Sequence, residues 1–172
     1  FMNGTLPALP GQTPTIADWE DHLSTVFPEV RLKKFLEMRG TDSGPWARLC
    51  ALPAFWMGLL YDDQALDAAW DVVKGWTSED RESLFRTVPL KALKAEVAGR
   101  TAQDVALQIL DIARAGLTRR ACLDSAGNDE PGFLSPLQEI AASGITPAEQ
   151  MLEAFHTKWD GDITKIFSEY SY

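Results

Sequence analysis

The sequence predicts an α+β fold that is predominantly α-helical. Residues 30–39 alternate between apolar and polar side chains, which is the period of a β-strand. From residue 46 onward, apolar residues recur at helical spacing, and Ser, Thr or Asp precedes most of these segments, as N-cap residues do. With 45% hydrophobic residues among 172, the chain is long enough to bury a core. We therefore expect a strand followed by a helical layer.

Composition excludes several classes of function. A net charge of -9 argues against nonspecific binding to nucleic acid or to anionic membranes, because both require a basic surface. The longest apolar run, residues 49–61, is too short to span a bilayer and contains Pro53. Cys50 and Cys122 are too few for a disulfide scaffold, so a reducing cytoplasm is expected. We expect no nucleic-acid or membrane partner, and any anionic ligand must bind a local basic patch.

Residues 1–45 are predicted to form a loop, a helix and a strand. Glycines and prolines in residues 3–14 prevent a continuous helix and indicate a connector. Thr15 and Asp18 then form a potential capping box, and the helix that they open should end before Pro28. The alternating segment follows directly.

One face of the predicted strand is strongly charged. The alternation places Arg31, Lys33, Glu37 and Arg39 on the same side, because residues two apart on a strand share a face. Such a face can simply be solvated, with Glu37 and Arg39 forming a structural salt bridge, or it can bind a ligand. The pattern alone leaves both interpretations open.

Residues 46–172 are predicted to form the helical layer. The first helix should run to about Leu60 with a kink at Pro53. Pro89 should end the helix that begins at Thr77, and a short last helix is expected from Ile163 to about Tyr170. The expected N-cap residues are Asp62 or Asp63, Thr77 with Asp80, Thr101 with Asp104, Ser135 with Gln138, and Thr146 with Glu149.

Other polar residues receive structural interpretations. Arg119 and Arg120 fall at the end of the longest predicted helix, where cations interact favourably with the helix dipole. Residues 124–130 lack the ligand spacing of a calcium loop and indicate a surface turn. His22 is a lone surface histidine, and His156 is expected to pack against neighbouring aromatic residues.

A single strand would leave its backbone N–H and C=O groups unpaired. The chain offers one convincing strand and only weak extended segments elsewhere, so the partner strands are expected upstream. The chain is therefore interpreted as the C-terminal segment of a larger protein. One or two of its strands would complete a sheet of the missing N-terminal half.

Five collinear blocks resemble the C-terminal portion of glutamate-cysteine ligase, of the type found in plants and proteobacteria. They are "LPALPG", "DWEDHLSTVFPEVRLKKFLEMRG", "GPWARLCALPAFWMGLLYD", "GLTRRA" and "TPAEQMLEAF". The resemblance implies a glutamine-synthetase-like ligase fold. It also implies that residues 1–172 form the C-terminal segment of the enzyme, with glutamate, cysteine and ATP as substrates.

The resemblance assigns roles to the charged strand face. The family joins the γ-carboxylate of glutamate to the amine of cysteine with ATP and Mg²⁺, through an acyl phosphate, as the first step of glutathione biosynthesis. By resemblance, Glu37 is the metal ligand and Arg39 the catalytic contact to substrate or phosphate. Arg31 and Lys33 share this face if the strand is regular, and we expect them to bind ATP phosphates or a substrate carboxylate, the alternative being a solvated face. Trp46, just after the following turn, either lines the substrate pocket or belongs to the core.

Two further points qualify the resemblance. Cys50 matches a redox-sensitive cysteine of plant members, but Ala8 replaces a second plant cysteine, so plant redox control does not simply transfer. We interpret Cys50 as a small buried residue. The alternative function is a non-catalytic helical interaction module, which burial of the charged face inside a closed bundle would favour.

Overall fold

A computed structural model describes residues 1–171 and confirms an α+β chain that is mostly helical. The chain divides into two compact units, Phe1–Ser43 and the remainder from Gly44 onward. Among the described residues, no helix has the length and apolar character needed to cross a membrane.

The first unit opens with turns and one helix. Gly11 donates its backbone N–H to the Gly4 carbonyl, which closes the glycine- and proline-rich loop. The helix α1, Ile16–Ser24, begins at the expected capping box, in which the Asp18 carboxylate accepts hydrogen bonds from the Thr15 N–H and hydroxyl. None of the residues of α1 is buried.

The prediction of one continuous strand over residues 30–39 is wrong. The segment instead forms an antiparallel hairpin of β1, Val30–Leu32, and β2, Leu36–Met38. The chain reverses at residues 33–35, which contain none of the usual turn residues. Each strand therefore pairs with the other along one edge. Only the second edge of each strand is left to pair with a strand from the rest of the polypeptide.

The second unit begins with three helices. They are α2, Trp46–Leu60, α3, Asp63–Val73, and α4, Ser78–Lys91. Asp62 caps α3 and Thr77 caps α4, as predicted. Pro89 does not end α4, which continues for two more residues. Proline has no backbone N–H to donate to the preceding turn of the helix. Because Pro89 lies in the last turn of α4, the lost hydrogen bond affects little of the helix.

A tight hairpin connects α4 to the longest helix. After a 3-10 turn at Ala92–Lys94, β3, Glu96–Val97, pairs with β4, Arg100–Thr101. The two turn residues, Ala98 and Gly99, both have positive φ, as the twist of a two-residue hairpin requires. The helix α5, Ala102–Arg120, then starts at the predicted Thr101–Asp104 capping box.

Three short helices complete the described chain. They are α6, Ser135–Ser143, α7, Pro147–His156, and α8, Ile166–Glu169. The predicted capping box at Thr146 is confirmed, but the prediction of a capping box at Ser135 is wrong. A 3-10 turn, Glu130–Leu134, runs directly into α6, and the Ser135 hydroxyl donates back to the Gly132 carbonyl. Ser135 therefore lies inside a continuous helical path and has no exposed helix start to cap.

The core of the second unit lies where α2 and α5 cross. Leu59 of α2 packs with Ala113 and Leu117 of α5 and with Leu134 of the following 3-10 turn. Leu117 and Leu134 are fully buried. Ala113 and Leu117 lie four residues apart on α5, the helical spacing of one face, whereas no sequence pattern identified Leu134 as core.

Two glycines allow this crossing to be close. A Cβ atom added to Gly116 of α5 would collide with the Gly58 carbonyl oxygen of α2 and lie 3.0 Å from the Ala65 Cβ. A Cβ added to Gly58 would collide with the Ala113 carbonyl and lie 2.9 Å from its carbon atom. The two helix backbones are thus in direct contact, and neither position can accept a side chain without movement of backbone.

We predict that Gly116→Ala destabilises the protein. Alanine improves helix propensity by about 1 kcal/mol. Overpacking of backbone against backbone costs about 1–3 kcal/mol or more, so the steric cost wins. Chemical denaturation should show a lower midpoint for Gly116→Ala. Gly75→Ala is the matched control, because a Cβ at Gly75 meets nothing within 4 Å. A Gly116→Ala variant as stable as the parent would contradict the close crossing.

The capping box of α5 predicts a dependence of stability on acid. Hydrogen bonds from the Thr101 hydroxyl and then the Thr101 backbone lower the pKa of Asp104. A carboxyl group with a lowered folded-state pKa stabilises the fold above its unfolded pKa of about 3.9, and this contribution disappears as the pH falls through the lower value. In Asp104→Asn, the melting temperature should be lower at neutral pH and should fall less than that of the parent as the pH is lowered from about 5, through the unfolded pKa of about 3.9, into the more acidic range. A difference between the two proteins that stays constant over this range would contradict the prediction.

Candidate functional site

Three charged side chains meet on one face of the β1–β2 hairpin. In the antiparallel register Arg31 lies opposite Glu37, and Arg39 follows Glu37 by two residues on the same face. Glu37 Oε2 accepts a hydrogen bond from Arg31 Nε at 2.7 Å and one from Arg39 Nη1 at 3.2 Å. We call Arg31, Glu37 and Arg39 the arginine–glutamate cluster.

The cluster carries a local net positive charge that remains accessible. Two guanidinium groups share one carboxylate, and the side chains of Arg31, Glu37 and Arg39 are 21%, 29% and 26% exposed. The hydrogen bond from Arg31, followed by that from Arg39 and the charge of both guanidinium groups, lowers the pKa of Glu37. Glu37 therefore stays ionised and holds both arginines in fixed positions.

The remaining hydrogen-bond donors of the cluster suit an oxyanion. Arg31 uses Nε for Glu37, which leaves its two terminal nitrogens without a partner among the described residues. Arg39 uses Nη1, so its Nε and Nη2 have no hydrogen-bond partner within residues 1–171. Each arginine thus keeps a pair of adjacent N–H donors, the arrangement that binds carboxylate or phosphate through two parallel hydrogen bonds.

Lys33 and Trp46 lie outside the cluster. Because β1 ends at Leu32, Lys33 is in the hairpin turn, where its backbone N–H donates to the Phe35 carbonyl. The residue is exposed and lies outside the strand in which the sequence placed it. Trp46 is the first residue of α2 in the second unit, and 77% of it is exposed. The predicted binding roles of both residues stay predictions.

The cluster fits only part of a Mg²⁺ site. Glu37 Oε1 accepts no hydrogen bond from the described residues and is a hard oxygen ligand of the kind that Mg²⁺ prefers. Within residues 1–171, however, no group of three potential metal ligands lies together. A complete coordination shell would need carboxylates from outside this chain, so the metal role of Glu37 stays a prediction.

The two arginines at the end of α5 have structural partners. Arg119 binds the Asp62 carboxylate through Nε and Nη2, the shortest distance being 2.6 Å, and this bond raises the pKa of Arg119. Arg120 Nε lies 3.2 Å from Glu130 Oε2, and its guanidinium lies 5.9 Å from the Tyr61 ring centroid. These contacts join α5 to its neighbours.

The other polar residues considered in the sequence also have local structural partners. His22 stacks on Trp19 with ring centroids 5.7 Å apart, and His156 contacts Phe155 at 5.1 Å. The Asp124 carboxylate accepts hydrogen bonds from Ala126 and Asn128, which defines a surface turn as predicted. Cys50 is half-buried in α2.

Two features of the site were missed by sequence reasoning. The first is the Arg31–Glu37 pair, which forms only because the chain reverses at residues 33–35. The second is Phe27, whose ring centroid lies 4.9 Å from Arg39 Cζ in a cation–π contact. Spacing gave no indication of either contact, because both join residues from different local segments.

Comparison with known proteins shows a match along nearly the whole chain. Residues 6–169 match the family described as glutamate-cysteine ligase family 2 (GCS2). The chain is 49% identical to glutamate-cysteine ligase A, chloroplastic, of Oryza sativa subsp. indica, over all of this chain and 34% of the rice protein. It is 48% identical to the chloroplastic glutamate-cysteine ligases of Solanum lycopersicum and Arabidopsis thaliana, over all of this chain and 32% of each.

These relatives correct the expected location. The chain spans about a third of the length of the curated relatives that it matches. The relatives are named chloroplastic, which contradicts the cytoplasmic location expected from composition. A low cysteine count indicates a reducing environment and cannot distinguish one reducing compartment from another.

Proposed function

Because the chain belongs to glutamate-cysteine ligase family 2, we propose that the polypeptide containing it is an ATP-dependent ligase. It joins the γ-carboxylate of glutamate to the amine of cysteine in the first step of glutathione biosynthesis. Glutamate, cysteine and ATP are the substrates, and Mg²⁺ is the cofactor. The rest of the polypeptide is the partner that completes the site, since this chain spans only about a third of its relatives.

The observation that supports this proposal is the arginine–glutamate cluster. A carboxylate does not react with an amine until it is activated, and ATP supplies the activation by forming an acyl phosphate. The site must therefore hold anionic oxygens on both the substrate and the phosphoryl group. Arg31 and Arg39 each keep adjacent N–H donors for such oxygens, and Glu37 fixes both guanidinium groups.

We assign Arg39 to the transferred phosphoryl group. Its Nε and Nη2 form the planar fork that grips two oxygens at once, so it can stabilise charge as it develops on the acyl phosphate. Arg31 presents its terminal nitrogens to a second anionic group, an ATP phosphate or a substrate carboxylate. Lys33 adds a positive charge from the hairpin turn, and Trp46, an exposed aromatic residue of the second unit, is assigned to substrate binding.

Glu37 has a double role in this proposal. Oε2 orients the two arginines, and Oε1 is free to serve as one ligand of Mg²⁺ together with carboxylates from the rest of the polypeptide. The metal ion, when bound, would neutralise phosphate charge and orient the polyphosphate. The cluster is not sealed inside a helical core, since each side chain is more than a fifth exposed, and this disfavours the alternative of a non-catalytic helical module.

The proposal predicts different defects for two substitutions in the full-length protein. Arg39→Lys keeps the charge and loses the fork, so kcat for γ-glutamylcysteine formation should fall roughly a hundredfold, with a smaller change in KM. Glu37→Gln keeps the shape and loses an anionic ligand, so raised Mg²⁺ should partly restore its activity. Raised Mg²⁺ should not restore Arg39→Lys.

The matched control for these variants is Glu29→Gln. Glu29 precedes the same hairpin and its side chain is exposed, whereas only its backbone carbonyl contacts Arg39. This variant should keep normal kcat, and the isolated 172-residue chain should be inactive because it lacks the other metal ligands. Near-normal kcat in both Arg39→Lys and Glu37→Gln, or loss that simply follows the unfolded fraction, would refute the assignment.

A further inference from the structure

Phe27 occupies an unusual position for a large aromatic residue. It lies in the irregular segment between α1 and β1, and 70% of it is exposed. Pro28 follows it and biases its backbone toward an extended conformation. The first unit has no buried hydrophobic residue among those described, so the ring does not contribute to a core there. Its position needs a reason other than burial.

Among the described residues, the Phe27 ring contacts the guanidinium of Arg39. Arg39 Cζ lies 4.9 Å from the Phe27 ring centroid, inside the distance at which an aromatic face attracts a cation. This contact attracts the guanidinium to the ring in addition to its hydrogen bond with Glu37. Phe35 is exposed to a similar extent, 62%, in the turn of the same hairpin, and no cation lies over its ring within the described residues.

Three contacts from three directions hold Arg39. Its backbone N–H donates to the Glu29 carbonyl at 2.7 Å, which anchors the residue at the end of the hairpin. Its Nη1 donates to Glu37, which holds one corner of the guanidinium. Its Cζ lies over the Phe27 ring, 4.9 Å from the ring centroid. The edge formed by Nε and Nη2 is the part left open, and this edge is the fork that binds an oxyanion.

We propose that Phe27 is a positioning residue that holds the Arg39 guanidinium in place. This inference rests on the proposed function, in which the Arg39 fork contacts the phosphoryl oxygens. Glu37 alone fixes one nitrogen and still permits the plane to turn about that hydrogen bond. The attraction between the Phe27 ring and the guanidinium restrains this movement, so the fork is aligned before the substrate arrives and less ordering is needed in the transition state.

The expected effect is modest and specific. A cation–π contact at an exposed site corresponds to roughly a two- to fivefold change in rate when it is lost. Because the fork acts on developing charge, the loss should appear in kcat rather than in KM. Tyrosine retains the aromatic face, whereas leucine retains apolar bulk without it. Phe27→Leu should therefore lower kcat, and Phe27→Tyr should restore it.

The test uses the full-length protein and two independent measurements. The first is the steady-state kinetics of Phe27→Leu and Phe27→Tyr. Phe35→Leu is the matched control, because it makes the same substitution at another exposed phenylalanine of the hairpin. The second is NMR of protein labelled with ¹⁵N-arginine, in which the Arg39 Nε–H resonance is identified by its absence from Arg39→Lys. Phe27→Leu should shift this resonance because the ring current is lost, and Phe27→Tyr and Phe35→Leu should not.

A double-mutant cycle separates positioning from general stability. If Phe27 acts by aligning the fork of the guanidinium, Phe27→Leu should have little further effect on kcat in an Arg39→Lys background, because an ammonium group has no fork to align. Equal effects of Phe27→Leu in both backgrounds would overturn the proposal. An unshifted Arg39 resonance in Phe27→Leu would also overturn it.

Failure of this inference is distinguishable from failure of the proposed function. If Arg39→Lys loses activity while Phe27→Leu keeps normal kcat, the positioning role alone is wrong. If Arg39→Lys keeps near-normal kcat, the assigned role of Arg39 fails, and the positioning role fails with it.

Discussion

The direct contact between the backbones of α2 and α5 is the constraint on which the second unit depends. Gly58 and Gly116 allow the two helices to touch, and this brings Leu59, Ala113 and Leu117 together as the core. The same approach lets Ala65 of α3 pack near Gly116, so the third helix is also placed by it. A core built from few large side chains requires such close packing, because dispersion contacts decline steeply with small gaps.

Polar contacts at helix ends then hold the neighbouring elements in register. The Arg119–Asp62 pair joins the end of α5 to the N-cap of α3, so one carboxylate serves both a helix start and a salt bridge. Gln103 donates to the Ala141 carbonyl at 2.8 Å and connects the beginning of α5 to the end of α6. These bonds satisfy exposed backbone groups at helix termini while they orient the helices.

The first unit follows a different principle. Its helix α1 buries none of its residues, and large apolar side chains such as Trp19 and Leu32 are 55% and 79% exposed. The organised part is the hairpin, where one carboxylate holds two guanidinium groups that would otherwise repel each other. This arrangement positions two guanidinium groups with few contacts, and its shape depends on Glu37 accepting both hydrogen bonds through one oxygen.

The sequence by itself determined the helices and most of their starts, because caps and apolar periodicity depend only on residues within one turn of each other. Thr15, Thr77, Thr101 and Thr146 confirm this. It did not determine the hairpin, since a reversal at residues 33–35 around Lys34 keeps Arg31 and Glu37 on one face, just as a straight strand would. Alternation is therefore the same for both structures, and the turn lacks distinctive residues. Only the tertiary structure decided that Arg31 lies opposite Glu37, that Phe27 covers Arg39, and that two glycines meet at a helix crossing. Each of these contacts joins segments that are separate in sequence, so no local pattern specifies it.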